Sequence, residues 1–153
     1  MKLEPMPQDH FYNVSLTWNA DRKGTMRSDV LNTSIEVATP PEFPKGIQGI
    51  WSPEHLFVAA INSCLMTTFL AIAENFRLPY KSFDSKAIGK LELIDGKYIM
   101  SEVVLKPRLV ILNEEDREKA MKVLHKSEAA CLISNSVKSN IILDPEVQVE
   151  VYA

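Results

Sequence analysis

The sequence has no surplus of positive charge. Its 17 Lys and Arg residues stand against 20 Asp and Glu, a formal net charge of −3. Binding nucleic acid draws on clustered cations that displace phosphate counterions, so no nucleic-acid partner is expected. Cysteine is scarce, with two in 153 residues. That count excludes a small secreted scaffold stapled by disulfides. The opening residues, MKLEPMPQDH, lack the apolar run of a secretory signal. The expected location is therefore the reducing cytoplasm, with both cysteines as thiols at rest. No internal repeat and no low-complexity segment occurs.

No C-x-x-C pair and no helical H-x-x-x-H pair is present, so His10, His55 and His125 do not have metal-ligand spacing. No metal and no cofactor is expected. Residues 56–73 lack any charge, but Asn62, Ser63, Thr67 and Thr68 interrupt them. This reads as a helix buried inside protein rather than one crossing a membrane.

What is present is a chain long enough for a real core, read as one domain over residues 1–153. Residues 1–8, with Pro5 and Pro7, read as a loose arm. From residue 11 the pattern alternates, with Tyr12, Val14, Leu16 and Trp18 on one face of a half-buried strand. A turn over residues 19–24 leads to a return strand near 25–28, and a further strand is expected at 34–38. Residues 39–53 hold four prolines and two glycines, a long structured loop of the kind that covers sites.

Ser52 and Pro53 are N-cap and first-turn residues of a long helix running to about Phe76, where Pro79 ends it. Strands at 84–94 and 98–112 are joined by Asp95-Gly96, a hairpin signal. Pro107 points to an edge or a bulge in the second. Asn113 and the acids Glu114, Glu115 and Asp116 open a helix whose basic end is Lys122, His125 and Lys126. A second short helix at 128–138 would carry Cys131. Val147, Val149 and Val151 close the chain as a strand. The order of elements is that of an α+β domain.

Cys64 lies inside the uncharged helix, where a cysteine is usually a small hydrophobe. Its neighbourhood changes that reading. Ser52, Pro53, Glu54 and, ten residues after the glutamate, Cys64 resemble the first cysteine motif of the OsmC/Ohr family, the osmotically induced and organic hydroperoxide resistance proteins. Cys131, Ile133, Ser134 and Asn135 resemble the second. The stretch TWNADRKGTMRS is similar to the family's opening hairpin, which carries an arginine. Arg22 is the first placement for it and Arg27 the second. Leu132 stands where the family commonly has proline and Leu65 where it commonly has phenylalanine, which leaves the subfamily open.

The resemblance implies an OsmC-like fold: antiparallel sheets around a long central buried helix, in an intertwined homodimer. It implies a thiol peroxidase that reduces alkyl or fatty-acid hydroperoxides, with Cys64 attacking and Cys131 resolving as a Cys64–Cys131 disulfide. A dithiol, such as a lipoylated protein, would be the reductant. The chemistry asks for a cation, because a free thiol ionises near pH 8.5 and burial raises that value. Arg22 would stabilise the thiolate, and Glu54 would orient Arg22 through a bidentate pair.

Ten helical residues rise about 15 Å, so Glu54 and Cys64 of one straight helix cannot serve one site. A composite site between two chains is therefore expected, with Ala59, Ala60 and Ser63 small enough for close approach. Phe57, Leu65 and Phe69 are candidates for an apolar substrate pocket, together with Met66, and Phe43 and Trp51 for its lid. The competing reading is a non-catalytic protein of the same fold that binds an apolar ligand or a partner at the dimer interface.

Overall fold

The computed structural model describes residues 9–150. The expected arm at 1–8 and the terminal Val151 lie outside them. The chain folds as two compact units, residues 1–56 and 57–153.

The first unit is built on a three-stranded antiparallel meander of β1 (Ser15–Ala20), β2 (Lys23–Arg27) and β3 (Ile35–Ala38). Asp21 takes a positive φ of 49° at the tight turn between β1 and β2, a conformation that Asp tolerates better than most residues. β1 begins later than its alternation suggests, and it is not half-buried. All six of its residues are exposed, Leu16 and Trp18 at 65% and 73%. Residues 39–51 return beside β3, where Ala38 N–H donates to the Trp51 carbonyl at 2.9 Å.

The long helix α1 (Pro53–Asn75) starts as its sequence dictates. The Ser52 hydroxyl accepts from the His55 N–H at 3.1 Å, capping an otherwise orphaned amide. At the other end Arg77 adopts a φ of 53°, and Leu78 N–H donates to the Ala73 carbonyl at 3.0 Å. This is a left-handed helix stop made without glycine, and Pro79 follows it.

The second unit holds a four-stranded mixed sheet. β4 (Tyr80–Ile94) and β5 (Lys97–Ile111) form an antiparallel hairpin, turned at Asp95 and Gly96 with φ of 50° and 77°. Two short strands then pair parallel to β5: β6 (Asn140–Leu143) along residues 102–105 and β7 (Glu146–Val149) along 108–111. β5 is therefore a central strand, and the expectation that Pro107 marks an edge is corrected. The backbone groups of Leu105 and Ile111 face β6 and β7, as their bonds from Asp144 and Glu150 show. By the same alternation Pro107 faces the gap between those two strands. A residue with no N–H sits where no ladder bond is required.

Helix α2 (Arg117–Ala130) is preceded by a single 3-10 turn at Glu114–Asp116. The helix expected at 128–138 does not form. α2 absorbs its first residues, Cys131 is its C-cap, and a 3-10 turn at Ser134–Ser136 follows.

One face of α1 packs onto the sheet. Ile61 and Leu65 meet Val103 and Leu105, while Phe69 and Ala73 meet Leu109, Ile111, Val123 and Leu124. Asn62 on this helix is fully engaged: its Nδ2 donates to the Ser85 carbonyl at 2.9 Å and its Oδ1 accepts from the Ser85 hydroxyl at 2.6 Å. α1 is long and apolar enough to cross a membrane by length and composition. Along one face its contacts are those of a core helix, while the rest of its surface is not covered by the described residues, so the helix is less buried than its sequence suggests. Each fully buried Leu, Ile or Phe contributes about 1.5–3 kcal/mol.

Gly89 lets the helix approach β4 closely. A Cβ at this position would collide with Val58 Cγ2 and stand 2.7 Å from Met100 Cε. Val58 is β-branched on a helix and has little freedom to yield. Gly89→Ala is expected to destabilise the fold by about 1–3 kcal/mol, as overpacking does. A chemical-denaturation midpoint unchanged from wild type would contradict this.

Candidate active site

Cys64 is on the buried face of α1, one helical turn before Thr68, whose hydroxyl lies 3.9 Å from its sulfur. A serine or threonine at this spacing shares a helix face with the cysteine, so the pair is geometrically dictated. The sulfur opens onto a cavity of about 330 Å³ lined by Ala60, Ser63, Cys64, Thr67, Leu132 and Ile133.

Cys131 reaches the same place from the end of α2. Its own N–H still donates to the Glu128 carbonyl at 3.2 Å, but its φ and ψ of −67° and 111° turn the chain out of the helix. Besides a bond from Ser136 N–H to the Ile133 carbonyl at 3.0 Å, three bonds hold the turn that follows. Asn135 N–H donates to the Cys131 carbonyl at 3.0 Å, Asn135 Nδ2 to the Ala129 carbonyl at 3.1 Å, and the Ser136 hydroxyl to the Leu132 carbonyl at 2.7 Å. This turn presents the backbone N–H groups of Leu132 and Ile133 to the sulfur of Cys64. Both cysteines are free and buried.

The two sulfurs interact directly, and their environments divide the proton between them. Burial pushes the Cys64 thiol up. The Cys131 thiol, the Ile133 amide, the Thr68 hydroxyl and the Leu132 amide outweigh it, and Cys64 ends below its ordinary value. Cys131 goes the other way: burial raises it first, and its bond to Cys64 raises it further, against the opposing pull of Ser134. Cys131 therefore keeps its proton and donates it to a Cys64 thiolate. Among the described residues, the groups that lower Cys64 are hydrogen-bond donors and none is a cation.

The sign of this division is testable. The thiolate is the reactive form, so the alkylation rate of Cys64 climbs as pH rises through its pKa. Iodoacetamide at neutral pH is expected to label Cys64 ahead of Cys131, with a midpoint below that of a free thiol. Peptide mass mapping across pH checks both; equal labelling of the two cysteines would contradict the assignment.

Arg22 and Glu54 come together in the first unit, where both line a cavity of about 320 Å³ with Leu16, Trp18, Val37 and Thr39. The expected bidentate pair is not made: no ion pair joins them, and Glu54 Oε2 is buried without a hydrogen-bond partner. Arg27 is exposed on β2 and does not line this cavity. Trp51 lines a third cavity with Gly49, Ile50 and His55, its ring edge-on to that of His55. Phe43 is half-buried in a turn closed by bonds from Phe43 N–H to the Pro40 carbonyl and from Gly46 N–H to the Phe43 carbonyl.

Leu65 and Phe69 are wholly buried core residues. Phe69 stacks on Phe83 at 4.6 Å between centroids and meets Tyr80 edge-on. Phe57 is partly buried against the cluster around Leu65. None of these three lines the cavity at Cys64, because an apolar side chain on the inner face of α1 is claimed by the sheet.

The roles of Thr68, the two amides and Ser134 are not among those the sequence motifs mark. The i+4 spacing could have found Thr68. Backbone donors leave no mark in a sequence.

A family profile described as OsmC-like protein matches residues 46–146. The chain belongs to the OsmC-like family. This OsmC-like chain is 25% identical over 147 residues to the uncharacterized protein YmaD of Bacillus subtilis, covering 93% of the chain and 96% of that protein. An OsmC-like protein of unknown function from Vibrio cholerae superimposes with a TM-score of 0.80 at 26% identity, covering 90% of this chain and 99% of that one. An organic hydroperoxide resistance protein from Elizabethkingia anophelis superimposes with a TM-score of 0.74 at 20% identity, covering 95% and 100%. The OsmC-like fold expected from the two cysteine segments is thus the fold observed, with the second sheet mixed rather than purely antiparallel.

Proposed function

We propose that this OsmC-like protein is a cysteine peroxidase that reduces organic hydroperoxides. The observation that carries the reading is the paired thiol site: two cysteines far apart in sequence act on each other's ionisation beside a small cavity that Cys64 lines, with the proton held by Cys131 and donors aimed at Cys64. A buried structural cysteine needs none of this. A solved relative of the same fold is named an organic hydroperoxide resistance protein, which agrees.

The Cys64 thiolate attacks the terminal oxygen of the hydroperoxide. The O–O bond breaks, the sulfur becomes a sulfenic acid, and the alkoxide takes up a proton and leaves as alcohol. Cys131 then condenses with the sulfenic acid, forming the disulfide and releasing water. A dithiol reductant restores both thiols by exchange. The apolar lining given by Ala60, Leu132 and Ile133 favours an alkyl or acyl chain over hydrogen peroxide.

Arg22 and Glu54 enter as the charged half of a composite site supplied by a second copy. Three features support this. The thiolate has no cation among the groups that act on it. Ala60, Ser63, Thr67 and Ala71 leave an exposed strip of small residues on α1 beside Cys64. The apolar face of β1 is open. A reducing cytoplasm suits two cysteines that must return to thiols.

The test is a steady-state assay of the purified protein with cumene hydroperoxide against hydrogen peroxide, each with dihydrolipoamide or a monothiol, run beside sedimentation at the assay concentration. The reading requires faster turnover of the organic hydroperoxide, preference for the dithiol, and a dimer. Bound lipid with negligible peroxide consumption would favour the non-catalytic reading instead.

A further inference from the structure

Ser63, Thr67 and Thr68 put hydroxyls around Cys64 on α1, and the three differ in where their protons go. Ser63 Oγ donates to the Ala60 carbonyl at 3.2 Å and Thr67 Oγ1 to the Cys64 carbonyl at 3.1 Å. A carbonyl has no proton to give, so in both bonds the hydroxyl's single proton is spent. Each oxygen keeps its lone pairs and can only accept. Thr68 is different, since its hydroxyl lies 3.9 Å from the sulfur itself. At about 3.6 residues per turn, Ala60, Ser63 and Thr67 fall on one flank of Cys64 and Thr68 on the other. On the first flank these three line the cavity of about 330 Å³ with Cys64, Leu132 and Ile133. No residue of this lining is charged, and apart from the cysteine none of its side chains has a spare proton. The cavity therefore sets two hydrogen-bond acceptors beside a nucleophilic sulfur. It suits a ligand whose reactive end is a donor and refuses one whose reactive end is an anion.

We propose that Thr67 and Ser63 accept the terminal O–H of a neutral, protonated hydroperoxide and so present its oxygen bare to Cys64. The inference rests on the peroxidase reading and adds substrate-binding residues to it. A thiolate is itself the strongest acceptor in the cavity. Left to that acceptor alone, a hydroperoxide would point its hydrogen at the sulfur, between the two atoms that must bond. An acceptor on the flank turns the hydrogen aside and leaves the oxygen facing the nucleophile, the geometry that attack requires. Side chains on a helix lean toward its N-terminus, so Thr67 reaches back over the turn that starts at Cys64. That makes Thr67 the first partner, with Ser63 one turn before it as the second. The sulfur bonds to the terminal oxygen as the O–O bond breaks. The hydrogen stays on that oxygen, now the sulfenic hydroxyl, and keeps its partner. The electron pair of the broken bond leaves with the alkoxide, which takes a proton from water. Ser63 and Thr67 give up no proton, because theirs remain on the carbonyls of Ala60 and Cys64.

The experiment mixes the full chain, reduced, with cumene hydroperoxide and reads the rate of Cys64 oxidation by sulfenic-acid trapping and intact mass. A parallel sample reacts with methyl methanethiosulfonate, which consumes thiolates and has no O–H to donate. In the double variant Ser63→Ala with Thr67→Val, the hydroperoxide reaction is expected to slow about tenfold, the worth of one or two neutral hydrogen bonds. The methyl methanethiosulfonate reaction keeps its wild-type rate. Ser63→Ala alone puts the best helix former on an exposed helix position, and it reads the same difference at about threefold should the double variant not fold. Equal slowing of both reactions overturns the proposal, because the hydroxyls would then be acting on the thiolate and not on the substrate. An unchanged hydroperoxide rate overturns it too, and in either case the peroxidase reading stands. A wild-type Cys64 that reacts with methyl methanethiosulfonate but resists the hydroperoxide overturns both.

Discussion

Cys64→Ser is expected to lose hydroperoxide reduction by about 10³-fold or more, the scale seen when an enzyme's nucleophile is removed. A serine hydroxyl does not ionise at neutral pH. The donors that gather on the sulfur of Cys64 — the amides of Leu132 and Ile133, the Thr68 hydroxyl and the Cys131 thiol — would then have no anion to stabilise. The replacement is nearly isosteric and faces a cavity, so it leaves the α1 core at Ile61, Leu65 and Phe69 untouched. Thermal melting of C64S within a few degrees of wild type, together with absent turnover, separates lost chemistry from lost fold. Full steady-state activity in C64S would defeat the assignment of Cys64.

The second large effect divides the two duties of Cys131. As resolving thiol it closes the disulfide, and as donor it lowers Cys64. Cys131→Ser keeps a donor but cannot form a disulfide. It should consume hydroperoxide in a single turnover and then stall with Cys64 as a trapped sulfenic acid. Cys131→Ala loses both functions. In that variant the pKa of Cys64 rises, because a group that stabilised the thiolate is gone, and first-turnover reactivity shifts to higher pH. The two variants should therefore share the stall and differ in the pH at which the first turnover sets in. Trapping with a sulfenic-acid reagent reads the stall, and alkylation against pH reads the shift. Identical pH profiles for the serine and alanine variants would remove the donor role. Steady turnover with dithiol in both would remove the resolving role.

Parts of this fold were legible because single residues dictate backbone geometry. Ser52, Pro53 and Pro79 bracket α1. Asp95 and Gly96 both take positive φ, as their hairpin signal demands. The end of α2 was not legible: residues 128–138 contain neither Gly nor Pro, and helix ends written by turn bonds such as those of Asn135 and Ser136 leave no punctuation. β6 was missed because four residues, NIIL, are too short to show a period. The cysteine pair was legible through its flanking motifs. Leu65 and Phe69 were not separable from pocket residues, since core and apolar site draw on the same side chains. What lay wholly beyond the sequence was the direction in which the Leu132 and Ile133 amides point.

The proline at position 107 has an effect beyond its own strand. β6 and β7 are each four residues long and could in isolation slide along β5. Sliding either one across the seam would ask Pro107 for a donor it does not possess, so the ring acts as an index stop for both. β6 begins nine residues after the resolving sulfur. A slip of two positions would move β6 by about 6.6 Å along β5. An imino acid in the middle of a sheet thereby fixes the register of both strands that follow the resolving sulfur.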